Sequence, residues 1–308
     1  MNAATTPAQP HSDDRRGFAF GVAAYGLWGV MPIYFKAIAA VAAVDIVAHR
    51  ILWSLPFLAL LLWLSRGWSE VRQAIRRRRT LLLLLSTATL IGINWLLYVY
   101  AVTSGHILAA SLGYYLNPLA NVLLGRFILK ERLSWLQWIA IAIAAAGILA
   151  LAVGALGQLW ISLTLCISFA TYGLLRKIAL VDAVAGLAIE TALLFPLAIG
   201  WLAWRLAAGA PSFGTTGSQT ALLVAAGIVS TTPLLLFTAA ARRLPYSTLG
   251  MLQFLAPTLQ FLCAVWLYGE PFGRAHAIAF GAIWAALALY LFELIRAPRA
   301  SQAPQPPE

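Results

Sequence analysis

Inside long apolar runs of this 308-residue chain stand His49, Arg50 and Glu190, ionisable side chains where hydrocarbon neighbours are expected. A charge near the centre of a bilayer costs about 2.5–3.5 kcal/mol on insertion scales, so such a residue persists only where it has a partner, a cavity or a solute to meet. Arg50 offers a fork of donors matched to a carboxylate or phosphate. Glu190 is a carboxylate whose proton affinity rises with burial, a feature that would suit proton coupling. One reading makes Arg50 with His49 the outer half of a polar passage that holds an anionic group, with Glu190 serving the inner half. The competing reading is that all three hold neighbouring helices together by hydrogen bonds.

Further groups that can hydrogen-bond a solute recur at helical spacing. Asn94 and Tyr98 are four residues apart, and Tyr114 and Asn117 three apart, so each pair shares one helix face. They read either as a solute-facing surface or as polar glue between helices. Pro32, Pro56, Pro118, Pro196, Pro233 and Pro257 also interrupt the apolar runs. Each lacks an N–H: Pro118 thereby frees the carbonyl of Tyr114, and Pro257 that of Gln253. A freed carbonyl needs protein or cavity water as partner, which makes these two kinks candidates for lining the passage. A kink that merely fits its neighbours is the alternative.

The elements that must position these groups are membrane spans. Of the chain, 62% is hydrophobic and only 10% charged, far below the quarter expected of a globular domain. Runs long enough to cross about 30 Å of hydrocarbon recur at roughly 18–37, 46–64, 81–103, 107–129, 134–153, 158–175, 183–204, 220–240, 246–268 and 275–295. The expected fold is therefore all-α and integral to a membrane, with ten transmembrane helices. The separations near Gly105 and His106 and near Gly157 carry the fewest polar residues. Cys166 and Cys263 both fall inside apolar runs and read as packing residues, not as a disulfide or metal pair. The tryptophans Trp68, Trp135, Trp160 and Trp204 stand near run ends, as interfacial anchors do.

The net charge of +11 does not indicate a nucleic-acid partner, because the basic residues are dispersed among short loops. With the amino terminus in the cytoplasm, 17 of the 21 Lys and Arg residues fall inside; Lys36, Arg50, Arg205 and Arg274 are the exceptions. The positive-inside rule thus favours both termini in the cytoplasm. Arg76 to Arg79 read as a topology and lipid-headgroup feature. Residues 1–16 form a polar cytoplasmic segment and 297–308 a Pro- and Ala-rich disordered tail.

Between these ends the chain repeats. Pro118 matches Pro257 and Glu131 matches Glu270 at an offset of 139, Pro56 matches Pro196 and Arg50 matches Glu190 at 140, and Lys36 matches Lys177 at 141. The halves are 17–153 and 154–296. An odd number of spans per half makes the second copy enter the membrane from the opposite side, giving two inverted five-helix repeats, a recurrent transporter device. Counting rise along the helices leaves about 11 Å of depth between Arg50 and Glu190, so a direct salt bridge between them is not assured.

The segments YGLWGVMPIYFK (25–36), AHRILWS (48–54), NWLLYVYAV (94–102), SLGYYLNPLANVLLG (111–125), SFATYGLLRK (168–177), GLAIE (186–190) and LGMLQFLAPT (249–258) closely resemble RarD proteins of the EamA branch of the drug/metabolite transporter superfamily. The likeness runs from residue 17 to about 295, with the motifs in order. It implies a bacterial inner-membrane permease of ten helices in a group often labelled chloramphenicol-sensitivity proteins. Where that family usually carries Tyr after the Gln of the ninth-span motif, this chain has Phe254. The resemblance carries over no established binding residue.

Secondary transport of a small solute by alternating access is the leading function, with the bilayer as the other partner and the choice of proton or sodium coupling left open. A membrane-embedded enzyme is disfavoured because HExxH and clustered intramembrane acids are missing. A primary pump is disfavoured because GxxxxGK[ST] is missing, and no cofactor motif is present. A receptor or regulatory membrane protein remains the second alternative. Oligomeric state, substrate and direction are not legible.

Overall fold

The computed structural model describes residues 11–128, 133–154, 156–179, 181–241, 243 and 252–296, and among these every regular element is helical. The first helices are α1 (His11–Ala37), α2 (Ala43–Leu64), the short α3 (Trp68–Arg76), α4 (Arg78–Thr103) and α5 (Ile107–Phe127). They are followed by α6 (Trp135–Gly154), α7 (Leu156–Ile178), α8 (Ala183–Ala207) and α9 (Gly217–Ala241). Last come α10 (Leu255–Leu262), which runs on as a π-helical segment (Cys263–Leu267), and α11 (Arg274–Arg296). Residues 1–10 and 297–308, expected to be polar ends, lie outside the described residues, and α1 already begins at His11 inside the expected amino-terminal segment.

Six helices among the described residues are long and apolar enough to cross a membrane by length and composition, and Trp135–Ala150, Leu255–Leu267 and Arg274–Leu289 are shorter apolar helices. Mid-helix prolines are tolerated in such spans because neighbouring helices satisfy the freed carbonyls, and Pro32, Pro56, Pro196 and Pro233 all lie inside continuous helices. Pro257 differs. The ninth run was expected to be unbroken over 246–268, yet the chain turns at Gln253–Phe254 and Pro257 falls in the first turn of α10. There a missing N–H costs nothing, since the first helical amides have no intrahelical acceptor.

One of the two weakest expected separations, at Gly105 and His106, is a sharp helix end. Gly105 (φ 76°) takes the left-handed conformation that glycine tolerates best, its N–H donates to Val102 O at 3.4 Å, and the His106 N–H donates to Ala101 O at 2.7 Å. This pair of bonds is the Schellman arrangement that closes a helix. The stretch 66–79, which reads only as a basic loop, contains helix α3, whose Val71 and Ala74 are buried while Trp68 and Ile75 are exposed. A short, amphipathic and highly charged helix of this kind does not stand out as an apolar run.

Small residues let helices approach closely, as expected in lipid. A Cβ on Gly147 of α6 would come within 2.7 Å of Ala282 Cβ on α11. One on Gly113 of α5 would come within 2.7 Å of the Ser162 carbonyl on α7. At Gly227 of α9 an added Cβ would collide with the backbone of Trp53 and Ser54 on α2. Backbone cannot move aside as a side-chain tip can, so Gly227→Ala is expected to lower stability by about 1–3 kcal/mol. Thermal unfolding of the purified variant checks this, and a wild-type midpoint would refute the close approach.

Candidate functional site

Arg50 leaves α2 toward α4, and its guanidinium lies over the Trp95 ring, 4.0 Å from the centroid. The hydroxyls of Tyr34, Tyr98 and Tyr114 are within electrostatic reach of the same charge. Two of these are engaged: Tyr34 donates to the Leu222 carbonyl at 2.5 Å and Tyr114 to Asn94 Oδ1 at 3.2 Å. Asn94 is held in turn, its Nδ2 donating to Leu165 O at 3.1 Å and Ser168 Oγ at 2.9 Å. Tyr98 packs its ring on Tyr114 at 5.6 Å and on Phe35 at 5.9 Å, while its buried hydroxyl has no hydrogen-bond partner. The structure thus gathers Arg50, Asn94, Tyr98 and Tyr114 at the meeting of α1, α2, α4 and α5. Asn117, one turn beyond Tyr114, is buried with its Oδ1 unpartnered.

His49 does not join this group. Successive helical residues point about 100° apart, and the His49 ring turns to the loop between α8 and α9. There its Nε2 is 3.3 Å from Ser212 Oγ and its ring stacks on Phe213 at 5.3 Å. Trp53, one turn on, also stacks on Phe213 at 6.1 Å. Beside it, the fully buried Asp45 accepts from Trp201 Nε1 at 2.6 Å and pairs with Arg205 at 3.2 Å. This end of α2 and α8 is therefore fastened by an ion pair, an indole and a tucked loop.

Glu190, on α8, is fully buried and meets its own set of partners instead of Arg50. Thr87 donates to Oε1 at 2.7 Å, Tyr172 donates to Oε2 at 3.1 Å, and Arg176 Nε lies 3.6 Å from Oε1. The Arg176 guanidinium fits against Gly186, where any Cβ would overlap it, and donates to the Asp182 carbonyl at 3.1 Å. Asp182 caps α8 by accepting from the Val184 N–H, and its own N–H donates to Glu70 of α3 at 2.6 Å. Glu190 thus ties α4, α7 and α8 together and, through Arg176, reaches the end that α3 covers.

Gln253 lies half-buried in the turn before α10. Beside it, the Pro257 carbonyl accepts the Ser111 hydroxyl at 2.7 Å, which ties α5 to α10. Glu270 closes the other end of that region: its two oxygens accept the N–H groups of Ile107 and Leu108 at 2.7 and 2.8 Å, capping α5. A carboxylate suits a helix amino terminus because it meets both free amides and the positive end of the helix dipole. Glu270→Ala is expected to lose about 1–2 kcal/mol, with Glu270→Gln in between because one carbonyl oxygen remains; chemical or thermal unfolding decides it. Glu131, matched with Glu270 by the repeat, lies outside the described residues.

Sequence reasoning missed Asp45, Trp201, Thr87, Tyr172 and the pairing role of Arg176. A usable signal existed, since an intramembrane carboxylate demands a base and Arg176 sits one helix from Glu190. Its position near a run end made it read as a topology charge.

The comparisons agree with this architecture. A model of the EamA-like transporter family matches residues 15–153. An uncharacterized transporter of Pseudomonas aeruginosa is 48% identical over 297 residues, covering 95% of this chain and 98% of its own. Protein RarD of Escherichia coli is 43% identical and covers 92% and 97%; the chloramphenicol-sensitive protein RarD of Pseudomonas aeruginosa is 34% identical and covers 89% and 93%. One crystal structure aligns over 91% of this chain and 98% of its own with a TM-score of 0.57 and 22% identity, a likeness of fold alone. Helices of spanning length and relatives named as transporters define a multi-pass protein of a membrane transporter class. Within that class the chain belongs to the EamA-like transporter family, alongside the RarD proteins.

Proposed function

We propose that the protein is a secondary transporter of ten transmembrane helices in two inverted five-helix halves, moving a small solute past Arg50 by alternating access. The observation that carries this is the pattern of helix packing. Exchange of the halves (α1 with α7, α2 with α8, α4 with α9, α5 with α10, α6 with α11) turns the most extensive contacts into one another. The α5–α7 contact answers α10–α1, α2–α9 answers α8–α4, and α1–α9 answers α7–α4, while α2–α8, α5–α10 and α6–α11 map onto themselves. Two similar halves that can trade conformations supply the opening and closing that alternating access needs. Arg50 with Asn94, Tyr98 and Tyr114 forms the solute site in this reading. His49 and Asp45 belong to one closing end, Glu190 to the other, and Gln253 and Asn117 line the route between.

The test is uptake. Purified protein in liposomes, given a cell extract and an imposed proton or sodium gradient, is expected to accumulate at least one solute above protein-free liposomes and to lose it when the gradient collapses. Chloramphenicol belongs in the panel because one relative bears its name. Turnover without translocation would favour an enzyme, and no uptake of any solute would sink the transporter. Both termini are placed in the cytoplasm in this reading; an enzymatic tag on the carboxyl terminus that works on the outer side would reverse it.

A further inference from the structure

Among the described residues, Arg50 is a charge inside the helix bundle with no carboxylate paired to it. Among the described residues, the three carboxylates most deeply buried are already satisfied. Asp45 has Arg205 and Trp201, Glu190 has Arg176, Thr87 and Tyr172, and Glu270 has two amides of α5. No carboxylate among the described residues comes within salt-bridge distance of Arg50, whose guanidinium rests on the Trp95 face. Lys36, in the last turn of α1, lies over the Tyr268 ring.

A cation held among aromatic rings is poorly solvated, and the face of one indole recovers only about 0.5–2 kcal/mol. An incoming carboxylate would find the fork of donors that Arg offers in a ready geometry. The buried Tyr98 hydroxyl, which has no partner, is a further donor within electrostatic reach of that fork. The surroundings exclude a bare inorganic ion as the best fit: Phe35, Trp95, Tyr98, Tyr114 and Phe169 pack around the site. They also disfavour a phosphate ester, which brings about −1.5 to −2 charges at neutral pH against one guanidinium.

Resting on the transporter reading above, we propose that the solute is an organic monocarboxylate with an aromatic or apolar body. Its carboxylate binds Arg50 and Tyr98, and its body packs on the rings of Trp95 and Tyr114. Occupancy then neutralises a site that is cationic when empty. Glu190 is not the counter-ion, because its own pair is closed.

The experiment uses the full chain in lipid nanodiscs. Thermal unfolding is followed with benzoate, phenylacetate, indole-3-acetate and hexanoate, each against its neutral amide. The acids are expected to raise the midpoint in a saturable way and the amides to leave it unchanged. Arg50→Gln should weaken the acids by about 30-fold or more, with Arg50→Lys retaining part of the effect. Equal stabilisation by acids and amides, no stabilisation by any acid, or an undiminished response in Arg50→Gln overturns the inference. So does accumulation of neutral chloramphenicol in the liposome assay with Arg50→Gln as active as wild type. Uptake of that neutral solute leaves the transporter reading standing, whereas failure of all uptake removes both.

Discussion

Arg176→Ala is expected to destabilise the protein by about 3–5 kcal/mol, the cost of leaving one member of a buried ion pair without its partner. Glu190 is 0% exposed, and in that variant only the Thr87 and Tyr172 hydroxyls remain to hold its charge. Thr87 sits on α4, Tyr172 on α7 and Glu190 on α8, so the strain falls on the junction of three helices. The double variant Arg176→Met with Glu190→Gln removes both charges. The amide oxygen still accepts a hydroxyl, and stability should largely return. Non-additivity of this kind separates a true pair from two independent residues. Thermal unfolding in detergent of Arg176→Met, Glu190→Gln and the double variant that combines them, beside Arg176→Ala, is the measurement. A single variant as stable as wild type, or a double variant as damaged as the sum, would show that the pair does not hold the helices.

Arg50→Gln should behave in the opposite way, with a fold that survives and uptake that does not. The side chain is half-buried and its guanidinium rests on the Trp95 ring, an interaction worth about 0.5–2 kcal/mol. The unfolding midpoint therefore moves little. Solute flux in liposomes is expected to fall by about 30-fold or more, because an anion that enters finds no compensating charge in a site shielded from water. Normal insertion with undiminished flux would remove Arg50 from the transport site. Pairing this variant with Gly227→Ala is informative, since one separates function from stability while the other perturbs packing at a distance from the charge.

The contrast between Arg50 and Glu190 shows where sequence reasoning stops. Their offset of 140 places them at related positions, read as serving the outer and inner halves of one passage. Among the described residues one has an ion-pair partner and the other does not, because Arg176 on α7 reaches Glu190 while no described acid lies within salt-bridge distance of Arg50. The adjacent His49 and Arg50 were grouped as one functional unit, yet one helical step of about 100° sends them to different neighbours. Asn94, Tyr98 and Tyr114 do come together in space. A spacing of four puts Asn94 and Tyr98 on one face of α4, and that face meets Tyr114 of α5.

By itself the sequence determined what depends on local, additive properties: an all-helical membrane protein, the order of its apolar runs, the end at Gly105 and the family to which it belongs. Hydrocarbon has no partners for stray backbone groups, so a long apolar run has little choice but to become a helix. Tertiary structure alone decided which charges pair, that α10 begins beyond Gln253–Phe254, and that α3 docks Glu70 onto the start of α8. Those outcomes turn on helix rotation and depth. A fraction of a turn changes which side chain an arginine can reach, and no one-dimensional pattern records that angle.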